Sequence, residues 1–584
     1  MSSPGLRSYL PEDLPDGRAL LEEGLRLGDD VKMGVSLLCE MHGVRSEVAY
    51  KKKMVAEGRL MTSMNIGMQT WAQTAHAMEQ IWEACERRGF RIDRYQMQMD
   101  RRMGLPPELW DRAAKETGPM LETKAHWWAT AHTVPIQPQL GDMMIGSPMS
   151  VSNARNALES GVTYIGNMSQ FAWKYPGWPG DDVEQMAEMV KALGLMASKR
   201  DDDAMMQSYL EDGYCAQFKD YCSYIGWALF ERYLIDKVAG ARLSIAYGGL
   251  THNPITKAAM VLALEAIKPE GTVNSFYHCN TTAYSPEVDE NFAVLSIDDL
   301  YLLLAQHRTA SGAAVLSIPV TEALRIPTWE EIVQVQTVAR RIANDAERLE
   351  EGLNWPHIEA LRDRMIEGGR RFYENIMEGL DDLGVDLHDP MQLLLTIRRM
   401  GGAEIENRWG VGELPTSDTE LYGPAIPTDT FQDFVNRREH VKSVFAGAKV
   451  ERARDVRLVI GSTDIHEYAL FLLVDAVEAL GLEPIIAGTS VDPDEFADLA
   501  LEAGASAILV STHNGMALTY ARQLQHEISE RHLEIPIAMG GTLNQDVEGE
   551  PAPIDVKKDL VELGVHVCTD VTDVLDVVRA AALT

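Results

Sequence analysis

Cysteine is scarce: the 584 residues hold six thiols, at positions 39, 85, 215, 222, 279 and 568. Spread that thinly they make no disulfide framework. The nearest pair, Cys215 and Cys222, has neither zinc-finger spacing nor the tight triplet that an iron–sulfur cluster needs. Long apolar runs are missing as well. The most apolar helical stretch, 468–482, is interrupted by Asp475 and Glu478 and is too short to span a bilayer. The opening residues, MSSPGLRSYLPEDLPDG, contain no apolar core of signal-peptide length. Positive charge is outnumbered, 53 Lys and Arg against 88 Asp and Glu, for a formal charge of −35. So negative a surface repels phosphate backbones and anionic lipids, so neither nucleic acid nor membrane is an expected partner. Low-complexity tracts and short repeats are absent. The expectation is a cytoplasmic protein.

What is present is enough apolar material, 46% of the residues, to fill a large core. The clearest seam runs from about Gly410 to Asp455, through VGELPTSDTELYGPAIPTDT and then a charged segment. The expected organisation is an N-terminal helical extension (1–55), a first domain (56–410), a linker (411–454) and a second domain (455–584). The second domain reads as five β–α units. Strand-like runs at 456–462, 484–488, 507–511, 535–539 and 565–569 alternate with helical patterns at 468–481, 494–504, 516–531, 556–563 and 572–582. Short apolar strands between amphipathic helices imply a parallel sheet covered on both faces, here flavodoxin-like. Ligands of such sheets bind beyond the carboxyl ends of the strands.

The first 410 residues alternate less cleanly. Strands are expected at 59–65, 94–99, 127–133, 162–168, 242–248, 273–279 and 313–319, with helices between them, for instance 254–267 and 329–349. Seven or eight such units suggest a (β/α)8 barrel of the TIM type, whose active site lies at the C-terminal strand ends. Those ends carry Asn65, Asp100 with Arg101, His132, Asn167, Tyr247, and His278 with Asn280.

The loop after the first strand of the second domain reads Ser462-Thr463-Asp464-Ile465-His466-Glu467-Tyr468-Ala469. An Asp two residues before a His can hold one imidazole nitrogen by a hydrogen bond and leave the other, more basic, to a metal. Alternatively, Asp464 caps the helix and His466 is solvated in its first turn. The third strand ends in Ser511-Thr512-His513-Asn514-Gly515 and the fourth in Gly540-Gly541. At these positions the sequence resembles the cobalamin-binding domain of B12-dependent mutases and corrinoid proteins, marked by Asp-x-His-x-x-Gly, a Ser after strand three and a Gly pair after strand four. The resemblance implies that His466 is the lower cobalt ligand, with Asp464 orienting it. It also implies that Ser511, Thr512, Gly515, Gly540 and Gly541 line the site of the cofactor's nucleotide tail. Ala469 stands where the family has Gly, and His513 where it has Leu.

The first domain resembles the large subunit of glutamate mutase (methylaspartate mutase), so that the chain looks like both subunits of that enzyme fused. The islands are Glu322-Ala323-Leu324-Arg325-Ile326-Pro327-Thr328, Ala246-Tyr247-Gly248, and Phe276-Tyr277-His278 with Cys279-Asn280-Thr281-Thr282. The resemblance implies adenosylcobalamin as cofactor, with Glu322 on the adenosyl ribose and Gly67 against its adenine. By itself Glu322 also reads as a carboxylate at a helix N-terminus. Of the three substrate arginines of that family, two fall on Asn65 and Met144. Only the second has a partner, at Arg101 or Arg102, so a less charged pocket with Trp127, Trp128, His132, Trp173 and Tyr247 is expected, and glutamate is not the expected substrate. The implied activity is a radical carbon-skeleton isomerisation of a small carboxylate or amino acid, with Arg101, Glu322, Tyr247 and His278 in the substrate site. A homodimer is the expected assembly. The alternatives are a corrinoid carrier that catalyses nothing, or a pyridoxal-phosphate aminomutase, which would need a Schiff-base lysine. After residue 455 only Lys557 and Lys558 are present.

Overall fold

The computed structural model describes residues 9–582 apart from 112, 114, 116–117, 142–143, 415–421, 446–455, 464–466, 514, 546 and 548–552; of Glu467 and Tyr468 it describes the backbone alone. The fold is mixed α/β with parallel sheets, and the chain forms two compact units. The first comprises Met1–Trp110, Gly118–Trp173 and Trp178–Asp429; the second comprises Asp111–Thr117, Lys174–Gly177 and Thr430–Thr584.

In the first unit eight short strands follow one another: β1 (Thr62–Ile66), β2 (Arg94–Met97), β3 (Gln137–Gln139), β4 (Tyr164–Ile165), β5 (Met205–Tyr209), β6 (Leu243–Ala246), β7 (Phe276–His278) and β8 (Ala314–Leu316). The ladder order is β3-β2-β1-β8-β7 in one sheet and β4-β5-β6 in another. Single parallel bridges, Leu140 to Ile165 and Tyr247 to Tyr277, connect the two. Each strand therefore neighbours the next, and β8 returns to β1. Helices such as Trp71–Arg87, Pro254–Ile267 and Val288–Thr309 make the crossovers that parallel pairing requires.

Two strands differ from the sequence expectation. WWATAHT, expected as a strand at 127–133, is the helix Lys124–Thr130 and its end, started by Thr123, whose side chain accepts from the His126 N–H. The third strand is Gln137–Gln139 instead, hidden because it contains Pro138. A proline without an N–H is tolerated there because β3 joins β4 through one bridge alone. The strand Met205–Tyr209, written MMQSY, was not anticipated.

A buried ionic cluster closes the end of this unit where the strands begin. On the helix Glu47–Ala56, Lys51 pairs with Glu47 at 3.1 Å, and Arg94 at the start of β2 reaches the same carboxylate at 3.0 Å. Lys51 Nζ also donates to the carbonyls of Asn274 and Ser275, just ahead of β7. All three side chains are essentially sealed from water, where pairing is the condition for burying charge at all.

The second unit has five parallel strands, β9 (Leu458–Ser462), β10 (Ile485–Gly488), β11 (Ala507–Thr512), β12 (Ile537–Gly541) and, after the two-residue hairpin strands β13 (Asn544–Gln545) and β14 (Ile554–Asp555), β15 (His566–Val567). Their order is β10-β9-β11-β12-β15, so the connections reverse direction between β9 and β11. Alternation along the strands splits the core in two. Val459, Ile508, Val510, Ile537 and Met539 face one helical layer; Leu458, Ile460, Ala507, Leu509 and Ala538 face the other. The helix Asp429–Phe445 joins this unit, packing Val441 and Phe445 with Ala476.

Candidate functional site

In an open parallel sheet the crevice lies where the strand connections reverse, here beyond the carboxyl ends of β9 and β11. There Ser462, Ser511 and Gly540 are register partners across β9, β11 and β12, and Thr512 is the partner of Gly541. Thr463 and Thr512 join by a hydroxyl–hydroxyl hydrogen bond of 2.8 Å. The Ser511 hydroxyl, by contrast, is buried and has no hydrogen-bond partner among the described residues. Beside it Gly540 leaves room: a Cβ there would meet only Cys568, at an ordinary 3.4 Å. Gly541 is a glycine for backbone reasons, since its φ is +99° and a Cβ would fall 2.4 Å from the Thr512 carbonyl. Gly515 likewise has a positive φ, +73°. Ala469 lies half-buried in the helix Glu467–Ala479. Asp464 and His466 lie outside the described residues.

These residues fit a cofactor arm in two respects. An unpaired hydroxyl inside a crevice offers a hydrogen bond that the protein does not use, and the glycine next to it removes the side chain that would fill the same space.

In the first unit the carboxyl ends of the strands gather a mixed set of polar groups. His278 ends β7, its ring stacked on Tyr209 of β5 at 5.7 Å. Burial pushes its imidazole down to about 4, so it is neutral at physiological pH. The Glu322 carboxyl, after β8, is pushed up to about 7 by desolvation alone. Arg101 opens a short 3-10 turn after β2 and is 8% exposed. Its neighbour Arg102 is committed to Asp100 through two side-chain bonds of 2.9 Å. Tyr247 is fully buried. It packs edge-on to Tyr224 and donates to Thr251 at 2.6 Å, whose hydroxyl lies 3.3 Å from the Glu211 carboxylate after β5. Gly67 is explained by packing, because a Cβ would sit 2.3 Å from the Gln98 carbonyl.

The expected aromatic pocket does not assemble. Trp127 is packed in the core, while Trp128 is 57% exposed and stacks on His132 at 4.0 Å. The His132 ring meets the Val35 carbonyl, ahead of β3 and so at the end where strands start. Trp173 donates to the Asp212 carbonyl.

Sequence reading missed a network beside His278. Glu211, 4% exposed, accepts from the Gly248 N–H at 2.7 Å, and burial pushes its carboxyl up. The Tyr209 hydroxyl accepts from the Gly249 N–H at 3.0 Å. Asn167 accepts from the Tyr209 N–H and donates to Asp212. The glycine pair 248–249 after a strand was the signal that could have revealed it.

No protein-family model matches the chain. Over 85 residues it is 38% identical to glutamate mutase sigma subunit 2 of Haloarcula marismortui, a stretch covering 15% of this chain and 57% of that protein. The chain thus spans little more than half the length of this relative. Among solved structures, a cobalamin-binding protein from Desulfitobacterium hafniense DCB-2 aligns with 26% of this chain and 70% of its own, at 15% identity and a TM-score of 0.20. The carboxyl transferase domain of Rhizobium etli pyruvate carboxylase aligns with 84% and 89%, at 11% identity and a TM-score of 0.28. Neither is near enough to carry fold or function.

Proposed function

We propose that this chain is an adenosylcobalamin-dependent radical isomerase of the glutamate mutase kind, acting on a small carboxylate or amino acid other than glutamate. On this reading the cyclic run β1–β8 is a (β/α)8 barrel spanning 56–410, and residues 455–584 are a flavodoxin-like cobalamin module. The 85-residue similarity to a glutamate mutase sigma subunit supports a B12-related function. The observation that carries the reading is the unpaired Ser511 hydroxyl beside Gly540 on adjacent strands, at the crevice end of the sheet.

Bound, the cofactor would supply a carbon radical from its cobalt–carbon bond. The protein's share is position and enclosure. His466 would hold the metal, oriented by Asp464. Ser511 would bond the nucleotide arm, with Thr512, Gly515, Gly540 and Gly541 shaping its path. In the barrel, Glu322 would receive the adenosyl ribose, and Arg101 would fix a substrate carboxylate. Neutral His278 would offer a hydrogen bond without adding charge. The proposed assembly is a homodimer, and among the described residues no helix is long and apolar enough to cross a membrane.

The test is spectroscopic. Wild-type protein mixed with adenosylcobalamin should give the base-off, histidine-on visible spectrum, and His466→Ala should lose it. Identical spectra would remove His466 from the cobalt. A second reading, a corrinoid carrier without mutase activity, draws on the neutral residues at Asn65 and Met144, where the family has arginine. Light-dependent loss of a bound adenosyl group without turnover of any small acid would favour it.

A further inference from the structure

Among the described residues, four carboxamides inside the first unit have polar atoms without hydrogen-bond partners. Asn65, Gln96 and Gln139 are successive register partners on β1, β2 and β3, which in a parallel ladder turns all three to the same side. Asn65 Oδ1, Gln96 Oε1 and both polar atoms of Gln139 are buried and unpaired, as is Nε2 of Gln207 on β5. The three glutamines are 7%, 0% and 1% exposed. Ser275 donates to Gln207 Oε1, so the amide nitrogen is the free end of that side chain. Gln139 and Gln207 converge on Gly141: a Cβ there would lie 2.5 Å from one Nε2 and 3.3 Å from the other.

Two residues nearer the strand starts, the same side of the sheet is differently furnished. Gln137 accepts from Ser36 and donates to the Gly161 carbonyl, and Arg94 pairs with Glu47. The unpaired amides therefore form a layer above the ionic floor, toward the end that carries His278 and Glu322. Asn65 alone of the four is half-buried. Native interiors pair nearly all buried polar groups, and a site built to hydrogen-bond a ligand is where such groups stay open. Nothing in the layer is charged. A carboxylate only accepts, so the open oxygens of Asn65, Gln96 and Gln139 would oppose it; a group that donates as well as accepts can meet those oxygens and the open amide nitrogens of Gln139 and Gln207.

We propose that Asn65, Gln96, Gln139 and Gln207 are the substrate-recognition layer of this unit and that they take an uncharged group able to donate and accept, a primary amide or a hydroxyl. The substrate is then a small molecule with at most one carboxylate. Assigning the layer to the substrate rests on the isomerase reading; its preference for a neutral group does not.

The experiment uses the full chain without cobalamin and reads Tm with propionamide or propionate at equal concentration. Propionamide should raise Tm more than propionate does. Gln139→Met should raise the ligand-free Tm, by about 1–3 °C, because an orphaned amide is exchanged for an apolar chain of similar length. Gln207→Met also strips the buried Ser275 hydroxyl of its acceptor and should not raise it; both should abolish the propionamide shift. No shift from propionamide, an equal or larger shift from propionate, or a fall in Tm of Gln139→Met, the mark of an amide satisfied by structural water, would overturn the proposal. Because cobalamin is absent, such a failure leaves the His466 spectrum untouched. A lost His466 signal with a surviving propionamide preference would instead remove the isomerase reading and leave the neutral-group preference standing.

Discussion

Single residues set how this protein answers to pH. Glu231, on the helix Tyr221–Arg232, is fully buried. It accepts from Trp227 Nε1 at 2.9 Å, and the Ser208 hydroxyl also faces the carboxyl. Burial pushes its carboxyl up to about 7. The folded state thus holds a proton that the unfolded chain releases near its ordinary value of 4.5. The associated stability is complete below that value and is lost as pH rises through about 7. Glu231→Gln keeps the indole bond and removes the ionisation. It should be more stable than wild type by about 1–3 kcal/mol at pH 8, with little difference at pH 4, read by urea denaturation at both pH values. A difference independent of pH would refute the buried-acid account. None of this shows in the string ALFERYLIDKV, where Glu231 reads as an ordinary helix-surface charge; burial comes from the neighbouring elements. The same limit hid the amides. Gln96 lies inside an expected strand without any mark of its role, and Gln139 and Gln207 lie on the two strands the sequence did not show. By contrast, Asn65, Arg101 and His278 stand at or just after the ends of expected strands, and Glu322 lies in a stretch resembling a known family.

Elements were readable where pattern and packing agree. In the second unit every expected strand overlaps an observed one, since apolar strands and amphipathic helices there carry opposite periodicities. In the first unit the partly exposed helix Lys124–Thr130 carries the aromatic and Thr residues of a strand while β3 carries a proline, so composition pointed to the wrong segment. Helix contacts depend on features still smaller. The helices Gly17–Gly28 and Asp182–Ser198 cross at a glycine pair. A Cβ on Gly24 would lie 2.0 Å from the Lys191 carbonyl, and one on Gly194 would lie 2.1 Å from the Leu21 carbonyl. Backbone atoms do not yield as side chains do, so Gly24→Ala must push the helices apart. It should destabilise by about 1–3 kcal/mol despite alanine's better helix propensity. Glu22→Ala, two residues away and exposed, should stay within about 0.5 kcal/mol of wild type. Thermal unfolding of both variants decides. Equal Tm values would mean that the crossing has slack.

At the scale of the whole molecule the dominant feature is unbalanced charge. With 88 acidic residues against 53 basic ones, many carboxylates have no cation available to them, and the formal charge of −35 repels itself within a compact volume. Ion pairs such as Arg308–Glu359, Arg399–Asp182 and Arg531–Asp498 relieve this locally. Each is partly exposed and worth little, so weakening them with salt loses little. Screening the excess carboxylates gains more, because the Debye length falls from about 10 Å at 0.1 M to about 3 Å at 1 M. Stability should therefore rise with ionic strength, Tm climbing between 0.1 M and 1 M in both NaCl and KCl and by similar amounts. Agreement between the two salts separates screening from ion-specific binding. A flat or falling Tm would mean that the acidic excess is already spaced widely enough for water alone, and that the charge governs solubility without governing the fold.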